Sequence, residues 1–291
     1  MLQYFMPVRA GTGDTYSIDK LILDFKLRGG RQWTDSFFSY LNQGLSIYFR
    51  HWTTNRIGAH KEQFTFDCGD GNSFWCGVGL NDGTGNVSNR VRLEFNPNKV
   101  AAHYEFIQVF NCLRSLAVGP PGVVRFDLAV DFPVLRSDCW LLKDNRMYEE
   151  VRKSSEDRTQ YLGERNKPGR CKLYNKALEA GLGYPLSRLE ITLSGETIDY
   201  KDLLGIWPQV LILDDLQLVF DGLKLTETDR FIVRSLILDP GRIAELSRRK
   251  RQKIAGIMTQ YIRFLEIDKA AYEDILSQLY IYSQQLAYWG G

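Results

Sequence analysis

Alternation of apolar and polar residues in four segments is the feature that most constrains how this chain can fold. The pattern occurs in residues 91–96, 123–132, 170–176 and 187–193. Because consecutive side chains of a strand point to opposite faces, each segment predicts a strand with one apolar and one polar face. Antiparallel strands of this kind bury the apolar face and leave the other face open. The sequence therefore predicts an α+β fold, in which helices cover one face of one or more antiparallel sheets.

Helical spacing of apolar residues predicts where the covering helices lie. The predicted helices are residues 33–52, 101–118, 145–158, 226–237, 241–265 and 269–288. We expect an α+β domain over residues 1–222 and a helical DNA-binding or dimerisation region over residues 223–291. A strand, an Asn-Lys pair and a return strand occur twice in the first domain, which is consistent with two half-units split near residue 120.

Composition and spacing exclude several classes of protein. The 37 Lys and Arg residues nearly balance 35 Asp and Glu residues, so DNA contacts would have to come from local basic segments. The five cysteines contain no Cys-x-x-Cys, and the three histidines contain no His-x-His, which argues against a disulfide framework and a Cys or His metal site. No apolar run approaches the length of a membrane span, and we expect a cytoplasmic protein without membrane contact.

Acidic residues recur on the polar face of the predicted strands. They are Glu94, Asp127, Asp131 and Glu190. Carboxylate oxygens are the ligands that Mg²⁺ and Mn²⁺ prefer, so these four are the candidate metal ligands. A solvated face with cross-strand ion pairs, each worth about 0.2–1 kcal/mol, is the alternative that the pattern leaves open.

Tyr174 lies on the same polar face as three cations of its own strand. These are Arg170, Lys172 and Lys176, which are suited to hold phosphates. Together with a metal, this set predicts phosphoryl transfer in which Tyr174 is the nucleophile. A free phenol has a pKa of about 10, so at pH 7 the reaction needs help from a metal or from neighbouring cations. A half-buried structural tyrosine is the alternative.

Five motifs in order resemble those of rolling-circle replication initiators of small Gram-positive plasmids, the trans-acting Rep family. The motifs occupy residues 91–99, 125–132, 161–165, 172–179 and 188–193. Phage initiators and nickases of conjugative elements share parts of the series. The resemblance implies Rep/relaxase-like half-units, and a protein that nicks one strand at a double-strand origin. Such a protein stays joined to the 5′ end and leaves a free 3′ hydroxyl as primer.

The resemblance also implies roles for particular residues. Tyr174 matches the nucleophile of the Tyr-Asn-Lys motif, and Asp127 matches the acidic position that makes it the best candidate metal ligand. Tyr161 and Arg165, from the Tyr-x-Gly-x-Arg motif, are expected to contact DNA. The other candidates for DNA binding on the strands are Arg125 and Arg188.

A basic segment near the C-terminus predicts a further DNA contact. Between Gly241 and Arg263 there are seven basic residues and one acid, and the candidates are Arg248, Arg249, Lys250, Arg251 and Lys253. The apolar side of helix 269–288 would pack on the body or join two subunits, and the family resemblance favours a homodimer. Because the chain has no Walker loop, unwinding would need a host helicase.

Three other functions stay open at this point. A conjugative or integrative-element relaxase would use the same chemistry. A non-catalytic regulator of the same fold would bind DNA without cutting it. A structural protein would show no salt-dependent affinity for DNA.

Overall fold

The computed structural model describes residues 5–29, 32, 35–37, 39–40, 49–53, 60–80, 88–154, 156–196, 199–213, 225–238 and 240–284. It confirms the α+β class, with a large antiparallel sheet and helices packed against it. No helix in these ranges is both long enough and apolar enough to span a lipid bilayer.

Fourteen strands form two sheets in the described part of the chain. They are β1 (Val8–Arg9), β2 (Thr15–Lys26), β3 (Phe49–Thr53), β4 (His60–Gly69), β5 (Asn72–Leu80), β6 (Arg90–Phe95), β7 (Gly122–Phe132), β8 (Cys139–Leu141), β9 (Tyr148–Arg152), β10 (Arg158–Leu162), β11 (Cys171–Asn175), β12 (Ser187–Ser194), β13 (Val210–Leu213) and β14 (Ile262–Phe264). The large sheet has the order β3-β4-β5-β6-β2-β7-β12-β11-β10-β9, and β1 pairs with β2. The four strands that alternation predicts are β6, β7, β11 and β12, and all four are confirmed.

The hairpin between β4 and β5 shows how local sequence fixes the register. Asp70 and Gly71 have φ angles of 53° and 73°, both in the left-handed region. Two consecutive residues with positive φ form the turn whose twist matches antiparallel strands. The second predicted hairpin signal, at Asp82-Gly83, lies outside the described residues.

The helices of the described residues follow in chain order. They are α1 (Pro97–Val100), α2 (Tyr104–Leu116), α3 (Lys176–Ala180), α4 (Tyr200–Ile206), α5 (Glu227–Leu238), α6 (Arg248–Tyr261) and α7 (Lys269–Gln284), with 3₁₀ turns at Arg136–Asp138 and Pro240–Glu245. From α2, Phe106 and Phe110 are fully buried, and Phe106 meets Phe74 of β5 edge to face at 5.3 Å. Tyr272 and Ile275 of α7 are also buried. Helices α2 and α7 thereby contribute to the core on the apolar face of the sheet.

Three predicted helices need correction. Residues 145–158 are not helical: Tyr148–Arg152 is edge strand β9, paired with β10, because cross-strand pairing outweighs a weak helical pattern in an exposed charged segment. Within 33–52, residues 35–37 and 39–40 are helical, but Phe49–Thr53 is strand β3 paired with β4. Residues 241–265 divide into a 3₁₀ turn, helix α6 and strand β14.

A small second sheet connects the C-terminal region to the rest of the chain. Its order is β14-β13-β8, in which Leu211 of β13 is paired with both Phe264 and Trp140. The predicted boundary between 222 and 223 falls outside the described residues. The division into two domains, and into half-units near residue 120, stays a prediction.

Candidate active site

The register of the central strands determines which polar side chains become neighbours. Lys172 of β11 is paired with Tyr161 of β10 on one side and with Glu190 of β12 on the other. Two residues further along β11, Tyr174 is paired with Arg188 of β12, which is paired with Asp131 of β7. The antiparallel pairing therefore gathers residues from four of the five motifs on one open face.

The Tyr174 hydroxyl lies between two carboxylates. It is 2.7 Å from Glu190 Oε1 and 3.2 Å from Glu179 Oε2, so its single proton has two acceptors. The whole residue is only 6% exposed. The hydroxyl nevertheless faces polar groups of the sheet rather than the apolar core.

Two lysines complete the surroundings of this hydroxyl. The Lys172 ammonium lies 3.8 Å from the centre of the Tyr174 ring and 3.5 Å from Glu190 Oε2. Lys176 forms an ion pair with Glu179. The site thus holds two carboxylates and two ammonium groups around one phenol.

Burial determines the protonation states of the central pair. Burial, and next the charge of Glu190, raise the pKa of Tyr174 above its ordinary value. Burial also raises the pKa of Glu190. The phenol is therefore neutral at rest, and Glu190 is a stronger base than an exposed carboxylate.

Glu179 is a site residue that the sequence reasoning missed. Asn175 ends β11 and caps α3, because its side chain accepts a hydrogen bond from the Leu178 N–H. Gly181, with φ of 65°, ends the helix after one turn and a half. This short helix returns Glu179 to Tyr174. An Asn cap directly after the strand was the signal that could have revealed it.

The predicted metal ligands are each paired with a cation of the chain. Asp131 receives two hydrogen bonds from Arg188, at 2.6 and 2.7 Å, and Asp127 receives two from Arg125, at 3.0 and 3.1 Å. Glu94 forms an ion pair with Lys20, and Glu190 pairs with Lys172 as described above.

These four carboxylates do not come together as a metal centre. Within the described residues, no group of three closely spaced ligand atoms includes any of them. Their present arrangement does not fit Mg²⁺ or Mn²⁺, and the assignment of this ligand set stays a prediction.

Arg188 has a second acidic partner that alternation did not reveal. Its Nη1 donates to Asp19 Oδ1 at 2.9 Å, and the residue is only 8% exposed. The register of β2 against β7 shifts between Ile18 and Lys20, so Asp19 leaves the alternating pattern. Arg188, predicted to bind DNA, is thus held by two carboxylates of the chain.

A cavity of about 440 Å³ opens beside Glu190 on the same face. Its lining includes many of the predicted residues: Arg125, Asp127, Tyr161, Arg165, Arg170, Lys172 and Glu190. The Arg170 guanidinium lies 4.6 Å from the centre of the Tyr161 ring. Cations and an aromatic ring in one concave site are the groups that bind the phosphates and bases of single-stranded DNA.

The basic helix α6 is partly engaged within the protein. Lys250 and Lys253 both pair with Asp229, whose side chain is 1% exposed. Arg251 donates to the carbonyl oxygens of Ala244 and Leu246. Of the five basic candidates, only Lys250 is partly buried, and Arg248 and Arg249 are exposed without an ion pair to another described residue.

Comparisons with known proteins leave the family open. No family model matches the chain, and no curated protein matches it either. A solved structure of a rolling circle replication initiator protein from Geobacillus stearothermophilus is similar at 15% identity and a TM-score of 0.37, over 92% of this chain and 97% of that chain. A likeness at this level carries no argument about function, which must come from the site itself.

Proposed function

We propose that this chain initiates rolling-circle replication by nicking one DNA strand at a double-strand origin, with Tyr174 as the nucleophile. The observation that carries the proposal is the position of the Tyr174 hydroxyl, 2.7 Å from Glu190 on the open face of the sheet. Lys172 lies against its ring, and Glu190 lines the cavity together with four basic side chains. The motif resemblance supplies the origin and the primer as the biological context.

The reaction is an exchange of one phosphodiester for another. The Tyr174 oxygen bonds to phosphorus, and the bond from phosphorus to the 3′ oxygen breaks. The phenolic proton goes to Glu190, and the departing 3′ oxygen takes up one proton from water or from Lys176. The products are a 5′-phosphotyrosyl bond and a free 3′ hydroxyl.

Proton transfer during attack avoids the full cost of a phenolate. Forming that anion at pH 7 costs roughly 4 kcal/mol for an unperturbed phenol, at 1.36 kcal/mol per pKa unit, and burial of Tyr174 adds to it. General base catalysis by Glu190 removes the proton as the new bond forms. Lys172 and Lys176 stabilise the negative charge that develops on the phosphate.

Single-stranded DNA would reach Tyr174 along the cavity. Arg165, Arg170 and Lys172 line it and would contact phosphates, while the Tyr161 ring offers a face for a base. Mg²⁺ or Mn²⁺, a homodimer and a host helicase belong to the proposal through the motif resemblance alone, and the steps above use none of them.

A labelled origin oligonucleotide tests the proposal directly. Full-length protein incubated with it, with and without Mg²⁺ or Mn²⁺, should form a covalent adduct at the 5′ end of the cut. Tyr174→Phe should abolish the adduct. Tyr184→Phe, which alters a tyrosine 58% exposed and ten residues away, is the matched control and should keep it. An adduct that persists in Tyr174→Phe refutes the assignment of the nucleophile.

A DNA-binding regulator without catalysis is the second candidate. Its support is the burial of Tyr174 and the raised pKa of its phenol, which disfavour attack. In that case wild-type protein forms no adduct under any metal condition, but retains salt-dependent binding to DNA.

A further inference from the structure

A sulfur, a nitrogen and an oxygen ligand come together on the helix-covered side of the sheet. The side chains are those of Cys68, His103 and Glu105, and their ligand atoms all lie within 4.8 Å of one another. Cys68 is the penultimate residue of β4, while His103 and Glu105 belong to the start of α2. The absence of Cys-x-x-Cys and His-x-His argued against a Cys or His metal site, but the fold brings together a cysteine and a histidine that 34 residues separate.

These three side chains are uncommitted within the described residues. His103 occupies the N-cap position of α2, yet its side chain makes no capping hydrogen bond. Neither Cys68 nor Glu105 forms an ion pair or a side-chain hydrogen bond there. This separates the group from the four acids that the sequence predicts as metal ligands, each of which is paired with a cation.

We propose that Cys68, His103 and Glu105 bind one Zn²⁺ ion, with water as the fourth ligand. Zinc accepts thiolate, imidazole and carboxylate ligands at about 2.0–2.3 Å, so its ligand atoms lie roughly 3.3–3.8 Å apart. Closing the group by about 1 Å, within the reach of side-chain rotation, gives this geometry. A thiolate ligand disfavours Mg²⁺ and Mn²⁺, which prefer oxygen.

The ligand charges suit a divalent cation. Thiolate and carboxylate together balance the two charges of Zn²⁺. Each of the three residues is partly exposed, which leaves a path for the ion and for water.

The ion would fasten the β4–β5 hairpin to the start of α2. β4 stands six strand positions from β11 in the large sheet, or about 29 Å at 4.8 Å per strand. The zinc site is therefore remote from Tyr174, and the inference does not depend on the nicking proposal. Binding to the folded state alone would raise the melting temperature.

Zinc binding by the full-length chain tests the inference. Protein stripped with a chelator and titrated with zinc chloride should take up one ion per chain and melt at a higher temperature. Cobalt should give the absorption bands of tetrahedral, sulfur-ligated Co²⁺. Cys68→Ser should weaken zinc binding by more than about 100-fold, since loss of a supporting contact alone costs about 10–100-fold.

The controls make each outcome decisive. Cys112→Ser alters another partly exposed cysteine and should keep zinc binding. His103→Gln gives a second loss of binding, which does not depend on whether Cys68→Ser folds. Absence of stoichiometric zinc uptake, or uptake unchanged in both ligand variants, overturns the proposal. Tyr174→Phe should bind zinc like wild type, which separates this test from that of the nicking activity.

Discussion

Replacing Glu190 with glutamine tests whether this residue takes the phenolic proton. The variant keeps the size of the side chain and an oxygen that can accept from Tyr174, now 2.7 Å away. It removes the charge and the basicity. General bases contribute about 10²–10⁴-fold to a rate, so we expect nicking to slow within that range while DNA binding persists.

The structure sets where in that range the loss should fall. A factor of 10²–10⁴ corresponds to about 2.7–5.4 kcal/mol at 1.36 kcal/mol per tenfold. Glu179 lies 3.2 Å from the same hydroxyl and offers a second acceptor, and Lys172 loses its partner at 3.5 Å and becomes free to favour the phenolate. We therefore expect the single variant near about 10², and the double variant with Glu179→Gln near about 10⁴.

The pH dependence of nicking gives a second measure of the same group. Glu190 acts as a base only when it is deprotonated, and burial raises its pKa above the ordinary value. Nicking should therefore fall as the pH drops through this raised pKa, above the range in which an exposed glutamate titrates. In Glu190→Gln, nicking should no longer fall in this pH range.

Single-turnover nicking of a labelled oligonucleotide, measured from acid to alkaline pH, gives both the rate of nicking and its dependence on pH. Glu149→Gln is the matched control, because Glu149 lines the same cavity from β9 without touching the Tyr174 hydroxyl. We expect its rate to stay within about threefold of wild type. A Glu190→Gln rate equally close to wild type, with the fall in this pH range intact, would refute the role of general base.

Three further predictions concern stability and DNA binding. Asp229→Asn should destabilise the fold by about 1–3 kcal/mol in urea titrations at pH 7; hydrogen bonds from two lysines lower the pKa of Asp229, so the loss should shrink as the pH falls below the ordinary range of aspartate. Gly195→Ala should lower the melting temperature, because its Cβ would stand 1.7 Å from the Val123 carbonyl oxygen. Arg248→Ala with Arg249→Ala should weaken DNA binding and reduce the salt slope by about two, with little change in stability.

The central strands could be predicted because burial of one face in the core requires apolar residues at alternate positions. β7 and β12 each have one face in the apolar core, so large buried apolar residues recur at every second position from Phe126 to Phe132 and from Leu189 to Leu193. The edge strand β9 has no face in the core, because four of its five residues are exposed. Its charged side chains therefore show no alternation that would identify a strand. Its pairing with β10 became evident only from the fold.

Some residues of the candidate site lie on regular strands, and others depend on irregular backbone geometry. Tyr174, Lys172 and Glu190 share a face because regular strands place them there, which alternation could predict. Glu179 depends on a helical turn after the strand, and Asp19 depends on a shift in strand register. Neither the short helix nor the register shift produces a repeating pattern in the sequence, so neither residue could be predicted from spacing.

If the proposed function holds, internal pairing of charges would make this nearly neutral chain selective among DNA ligands. Arg125 and Arg188 are already held by carboxylates, so a phosphate must displace Asp127 or Asp131 before it gains either guanidinium. That exchange contributes little to the free energy of binding an arbitrary duplex, because one anion replaces another. It favours a strand whose bases also fill the cavity beside Tyr161, since only such a ligand adds contacts that the carboxylates do not supply. Under the proposed function, the paired face would suppress non-specific binding, while the exposed arginines of α6 would provide the general attraction to DNA.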